Sequence, residues 1–331
     1  MNPARLLAKE KHRATKQPPS ESRTQLQREL AKNPFALALG TPVRTCGLTG
    51  TSLPKYFLQD FKILAHPETG GPCFLPTSLT RKGKRVDESG DELGAIGGVT
   101  GYTLSSKRAL DSIQNPLGGY YKTRGGNSQR VHHKLIPTHI KSVKEAMRMV
   151  GGLKWRPDMA DFVLELMRRR VVEHLMDLGN VKRGYLVGCV DWEDAASKPQ
   201  VAAFLWTGGR PNVESVSEPT EYSTLDLGME GGLKGGEKKK KKKVPVYNLR
   251  ILLGREKLAE LKKSFGNGMF DRELVALKHK NMTVELQSKL WRLQGYVAEH
   301  RGGAQGSSQG EAWDEDQDDD EESFEDGDEH H

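Results

Sequence analysis

The sequence predicts an α+β protein: a small mixed α/β body, helices packed on a short antiparallel sheet, with a Pro/Gly-rich N-terminal module and disordered basic and acidic extensions. Three observations predict it. Helical periodicity is strongest from Asp158 to Leu178, where Met159, Phe162, Val163, Leu166, Val171, Leu175 and Leu178 recur at three and four, with Pro157 before them and Gly179 and Asn180 after. Two continuous apolar runs, GYLVGCVDW (184–192) and QVAAFLWT (200–207), read as strands of a β-hairpin. Both ends of the chain trade apolar residues for charge, and a segment of that composition has too little to bury to order itself.

Taken in order, residues 1–32 form a basic N-terminal arm with a short helix. The arm is disordered through Pro18 and Pro19; Ser20–Lys32 is helical, with Ser20 and Ser22 as caps and Leu26 and Leu30 on one face, and Asn33 and Pro34 end it. Residues 33–80 are a Pro/Gly-rich compact module. In it Phe35, Leu37 and Leu39 alternate as a brief extended run, and Lys55–Ala65 is a strand with Phe57, Gln59, Phe61 and Ile63 on one side. HPETGG followed by PCFLP reads as a hairpin or wide loop. Residues 81–138 are a basic loop region, in which 81–98 is an exposed loop and Ser105–Asn115 a helix before Pro116.

Residues 139–300 are the α+β body. Ile140, Val143, Met147 and Val150 predict a helix ahead of the long one at 158–178. After the hairpin comes a flexible insertion, 208–243, ending in six lysines, Lys238 to Lys243, which repel one another and are expected to be extended and solvated. Val244–Leu253 is a third strand joining the hairpin, and helices follow at 254–265 and 282–299. Residues 301–331 are a disordered acidic tail.

Charge is the most informative property. From Glu311 onward there are 13 acidic residues and no Lys or Arg, so residues 1–310 carry a positive excess of 20. A body that basic points to a polyanion, a nucleic acid or an anionic surface, because phosphate attraction and counterion release dominate such binding. Cys46, Cys73 and Cys189 are too few and too scattered for a disulfide framework, which implies a reducing compartment. No apolar run of about 18 residues is present, so no membrane span is expected. The start, MNPARLLAKEKHRATKQ, suits either a mitochondrial import signal or a basic arm that binds rRNA.

The candidate RNA-binding residues are cations and tyrosines in glycine-rich surroundings: Arg44, Lys55, Arg81, Lys82, Lys84, Arg85, Tyr120, Tyr121, Lys122, Arg124, Arg130, His132, His133 and Lys134. In 117–138, glycine lets the backbone approach a phosphate, Arg and Lys supply charge, and a tyrosine ring can stack on an unpaired base. Arg168, Arg169 and Arg170 complete the set. Three consecutive helical positions span most of a turn, so at least two are expected to face outward, to solvent or phosphate. A solvated surface loop without a partner is the plainer account of 117–138.

An enzyme is not expected. HExxH, GxSxG, a phosphate-binding P-loop and a GxGxxG after a strand are all missing from the sequence. The adjacent His132 and His133 diverge as metal ligands, and Cys46, His66 and Cys73 have no evident fourth ligand, so neither a metal nor a cofactor nor a small-molecule substrate is predicted. Asp191, Glu193 and Asp194 read as a hydrophilic hairpin turn.

NPFALALGTPVRTCGLTGTSLPKYFLQDF followed by HPETG, within residues 33–79, resembles a group of filamentous-fungal mitochondrial small-subunit ribosomal proteins. The resemblance implies a structural ribosomal subunit of the mitochondrial matrix that contacts ribosomal RNA and other mitochondrial ribosomal proteins. The lysine run and the acidic tail depart from it. The alternative is a mitochondrial or nuclear RNA-binding or translation factor that is not a stable ribosomal subunit.

Overall fold

The computed structural model describes residues 24–65, 72–80, 95–114, 135, 155–181, 183–208, 218–227, 242–265 and 268–298. The basic arm before residue 24, the loop at 81–94, the cationic stretch at 117–134, the helix expected over 139–150, Lys238 to 241 and the acidic tail lie outside the described residues.

Helix α1 (Gln25–Ala31) begins later than the serines suggest. Thr24 caps it: the Gln27 amide donates to the Thr24 hydroxyl at 3.3 Å, and the Thr24 amide donates to Gln27 Oε1 at 3.0 Å. Pro34–Leu39 is helix α2, where an extended run was expected. Asn33 and Pro34 do end one helix, but they also start the next. Asn33 Oδ1 accepts from the amides of Phe35 and Ala36, and proline at the first helical position gives up only an N–H that has no partner there.

A ribbon of β1 (Val43–Thr45) and β2 (Ser52–Pro54) follows, then a 3-10 turn at Lys55–Phe57 and strand β3 (Leu58–Ala65). Strand β3 is the centre of a three-stranded antiparallel sheet, flanked by β4 (Pro72–Leu75) and β5 (Ala95–Leu104). The β3–β4 pairing is the expected hairpin. Two expectations are corrected here. Leu58, Gln59, Asp60 and Phe61 are all buried, so β3 starts with both faces covered rather than one. Residues 95–98, assigned from sequence to an exposed loop, are the start of β5, with Ala95 opposite Leu64 and a register shift before Thr100; the glycines there hide the alternation. Helix α3 (Lys107–Gln114) follows as predicted.

Helix α4 (Met159–Asn180) matches its periodicity, with Val163, Val171 and Leu175 among its most buried residues. After it the chain builds a five-stranded sheet in the order β6-β10-β7-β9-β8, from β6 (Leu186–Cys189), β7 (Val201–Trp206), β8 (Thr224–Leu227), β9 (Lys242–Asn248) and β10 (Leu274–Lys278). Three of its four pairings are antiparallel, and β7–β9 is parallel. Strands β6 and β7 are therefore not a hairpin. Both pair antiparallel with β10, which sits between them, and the polar link is a helix, α5 (Trp192–Ser197), making a split β–α–β unit. The Asp191 carboxylate caps α5 by accepting from the Asp194 amide at 2.7 Å, so the acidic cluster is a helix start and not a hairpin turn.

Sequence reading missed β10 and β8, and it misread the start of α6 (Leu249–Ser264) as strand. Asn248 Oδ1 accepts from the amides of Arg250 and Ile251 and begins that helix five residues before Gly254. The end of the lysine run is extended, as expected: Lys242 and Lys243 belong to β9, with Lys243 exposed and opposite Asp226 on β8. Helix α7 (Asn281–Val297) closes the body. One face of the large sheet (Ala203, Leu205, Tyr247, Val275, Leu277) joins α4, α6, α7 and residues of the three-stranded sheet in one core. The other (Phe204, Trp206, Val246, Leu274, Ala276), with Leu227 of β8, packs against Ala195 and Trp192 of α5.

Candidate nucleic-acid interface

At the end of β10 four chain segments meet around a cleft of about 650 Å³, lined by Lys32, Tyr185, Gln200, His279, Lys280, Asn281 and Met282. Backbone bonds hold it: the Lys278 amide donates to Tyr185 O at 2.9 Å and the His279 amide to Gln200 O at 2.7 Å. Gln200 adopts a left-handed backbone, φ 55°, at that bend. The buried Thr283 hydroxyl accepts from the Lys280 amide at 3.2 Å and lies 2.7 Å from Lys278 O, which fixes the turn into α7.

The electrostatics of the cleft are cationic. The positive end of the α7 dipole opens onto it, and its N-cap residue, Lys280, has an ammonium that cannot accept a hydrogen bond. Lys278 donates to Pro199 O at 2.8 Å, and its ammonium is held below the usual lysine range by burial first and then by Lys198 and Lys280. Positive groups are thus close enough here to repel one another.

The arginines of α4 do something else. Arg168 Nε donates to Leu252 O at 2.8 Å, and Arg170 Nη2 to Thr80 O at 2.9 Å; both are half-buried. Of the three, Arg169 is the exposed one, 3.8 Å from Glu173. The expectation that at least two face outward is corrected, because long guanidinium arms reach backbone carbonyls on neighbouring elements.

Arg44 on β1 and Lys55 before β3 are exposed. Arg81, Lys82, Lys84 and Arg85, and Tyr120, Tyr121, Lys122, Arg124, Arg130, His132, His133 and Lys134, lie outside the described residues, but the roots of their segments are placed. Thr80, just before Arg81, is tied to α4 by Arg170. The second segment leaves α3 at Gln114, and Leu135 is buried against β5, so close to Gly101 that a Cβ there would stand 2.2 Å from Leu135 O. Lys32, His279 and Lys280 were not foreseen; the available signal was the run Lys278-His279-Lys280 just ahead of a helix start.

Cys46 and Cys189 are buried free thiols, Cys73 is half-buried, and His66 lies outside the described residues. Among the described residues no helix is long and apolar enough to cross a membrane. No family model matches the chain, and neither a curated protein nor a solved structure matches it.

Proposed function

We propose that the protein is a structural constituent of the mitochondrial ribosome, in its small subunit, where basic loops and extensions bind ribosomal RNA and neighbouring ribosomal proteins without catalysis. The observation that carries this reading is the positive excess of 20 over residues 1–310. The cationic cleft at the start of α7 and the exposed Arg44, Lys55 and Arg169 support it, since phosphate contacts of this kind position a protein on RNA. So does the anchoring of the segments that carry the remaining candidates. The test is sedimentation of the native protein in a sucrose gradient at low salt. Co-migration with the small ribosomal subunit is expected, with ultraviolet crosslinks at one or two fixed rRNA sites. Protein found only at the top of the gradient overturns the ribosomal reading, and crosslinks scattered over messenger RNA would favour a free RNA-binding factor.

A further inference from the structure

We infer that α1, α2 and β1 together form a docking surface for another protein, one that presents apolar side chains flanked by carboxylates. The described surface exposes eleven large hydrophobic side chains, and six of them, Leu26, Leu30, Phe35, Leu37, Leu39 and Val43, fall within eighteen consecutive residues. Scattered exposed leucines are ordinary; a concentration of them marks an interaction site.

The elements that carry them are well made, so the exposure is not that of a frayed end. Thr24 and Gln27 cap α1 reciprocally and Asn33 caps α2, yet α1 buries none of its residues. Helix α2 is seated on α7 through Pro34, Ala38 and the Phe35 ring, whose centroid lies 4.6 Å from that of Trp291. That seating leaves Leu37 and Leu39 turned away, with Leu26 at 64% and Leu39 at 61% exposure. Strand β1 is exposed at all three of its residues and, among the described strands, pairs only with β2.

Chemistry selects the occupant. Five of the six are leucine or valine, which have no π face on which a base can stack, and the Phe35 ring is packed on Trp291; covering them does nothing for a phosphate, so RNA does not account for this apolar centre. From residue 24 to residue 57 the cations Arg28, Lys32, Arg44 and Lys55 stand against one acid, Glu29. A complementary partner therefore offers carboxylates at the rim of an apolar centre, the usual division between the core and the edge of a protein interface. Lys32, Arg44 and Lys55 also stand among the phosphate contacts proposed above; what this inference adds is the apolar centre, and its test reads that centre at Leu30 and Leu39.

The full chain, produced in its native cells with a benzoylphenylalanine at Leu30 or at Leu39, is photocrosslinked and the attached peptides are sequenced; the same probe at Glu256, exposed on α6, is the control. The expected result is one and the same protein at both positions and not at Glu256, through a peptide with apolar residues flanked by Asp or Glu. That peptide, synthesised, binds the purified full chain, and Leu30→Glu with Leu39→Glu weakens it at least about tenfold while leaving the melting temperature unchanged, because neither side chain is buried. Attachment to RNA, to lipid, to a second copy, to residues 1–23 or to unrelated proteins at the two positions overturns the inference, as does no attachment at all. A peptide whose binding ignores the two substitutions overturns it as well.

Discussion

Arg292 projects from α7 into the seam between the helices and the three-stranded sheet, donating to Leu58 O at 2.8 Å and to Gln59 Oε1 at 3.2 Å. Burial pulls its pKa down and Asp60 and Tyr56 oppose that shift, while a guanidinium keeps its charge in a folded protein. Around it Asp60 accepts from the Thr77 hydroxyl and the Ser78 amide, and the Tyr56 hydroxyl donates to Ser288 O at 2.5 Å. Arg292→Ala strands two buried acceptors and removes packing, and it is expected to cost about 3 kcal/mol in urea unfolding. A loss below about 0.5 kcal/mol would show that the seam holds without it. His174 offers a pH test. Burial, then the Lys289 ammonium 3.0 Å from its ring nitrogen, lowers its pKa from the ordinary value near 6.5. The unfolded chain therefore takes up the proton first, and stability falls as pH drops below about 6.5 until the folded-state value is passed. Melting temperatures measured between about pH 7.5 and 5.5 should decline less steeply in His174→Gln than in the unaltered protein.

Among the elements, α6 shows how the residues and the backbone answer each other. It breaks at Gly254, whose φ of 76° and ψ of 167° are open to glycine almost alone. A break of this kind deprives the preceding carbonyls of their i+4 partners, and Arg168 of α4 takes up Leu252 O. Gly254→Ala is expected to destabilise by about 1–3 kcal/mol in the same assay, from backbone strain alone. No loss would mean that α6 tolerates a straight helix there. Strand β3 carries a second element-scale expectation. Phe61 is fully buried between Phe74 and Trp155, so Phe61→Ala costs about 3–5 kcal/mol. Phe57 lies half-buried in the turn before β3, against Trp291, and its alanine variant should cost distinctly less. Equal losses would contradict this placement.

For the whole molecule the governing quantity is charge. Replacing Lys32 and Lys280 by Ala should weaken RNA binding uniformly across sequences and flatten the log–log salt dependence by about 1 to 2 units of slope. An unchanged slope removes the cleft from the interface. Much of the architecture was legible in the sequence because it is local. The i, i+3, i+4 recurrence along α4, the apolar runs of β6 and β7, and the amphipathic α7 each declare themselves within a few turns of chain. What escaped was short or depended on pairing. Strand β10 is five residues long and buried on both faces, so LVALK has no alternation to show, yet it lies at the heart of the large sheet between β6 and β7. The candidate cations divide in the same way. The sequence by itself determined the α+β class, the long helix and the basic balance of residues 1–310, since composition and helical period are properties of neighbouring residues. Only the tertiary structure decided that β6 and β7 are split by a strand from far downstream. It alone turned Arg168 and Arg170 inward to carbonyls and gathered Lys32, His279 and Lys280 around one cleft, because strand order and the reach of a long side chain are set by elements distant in the chain.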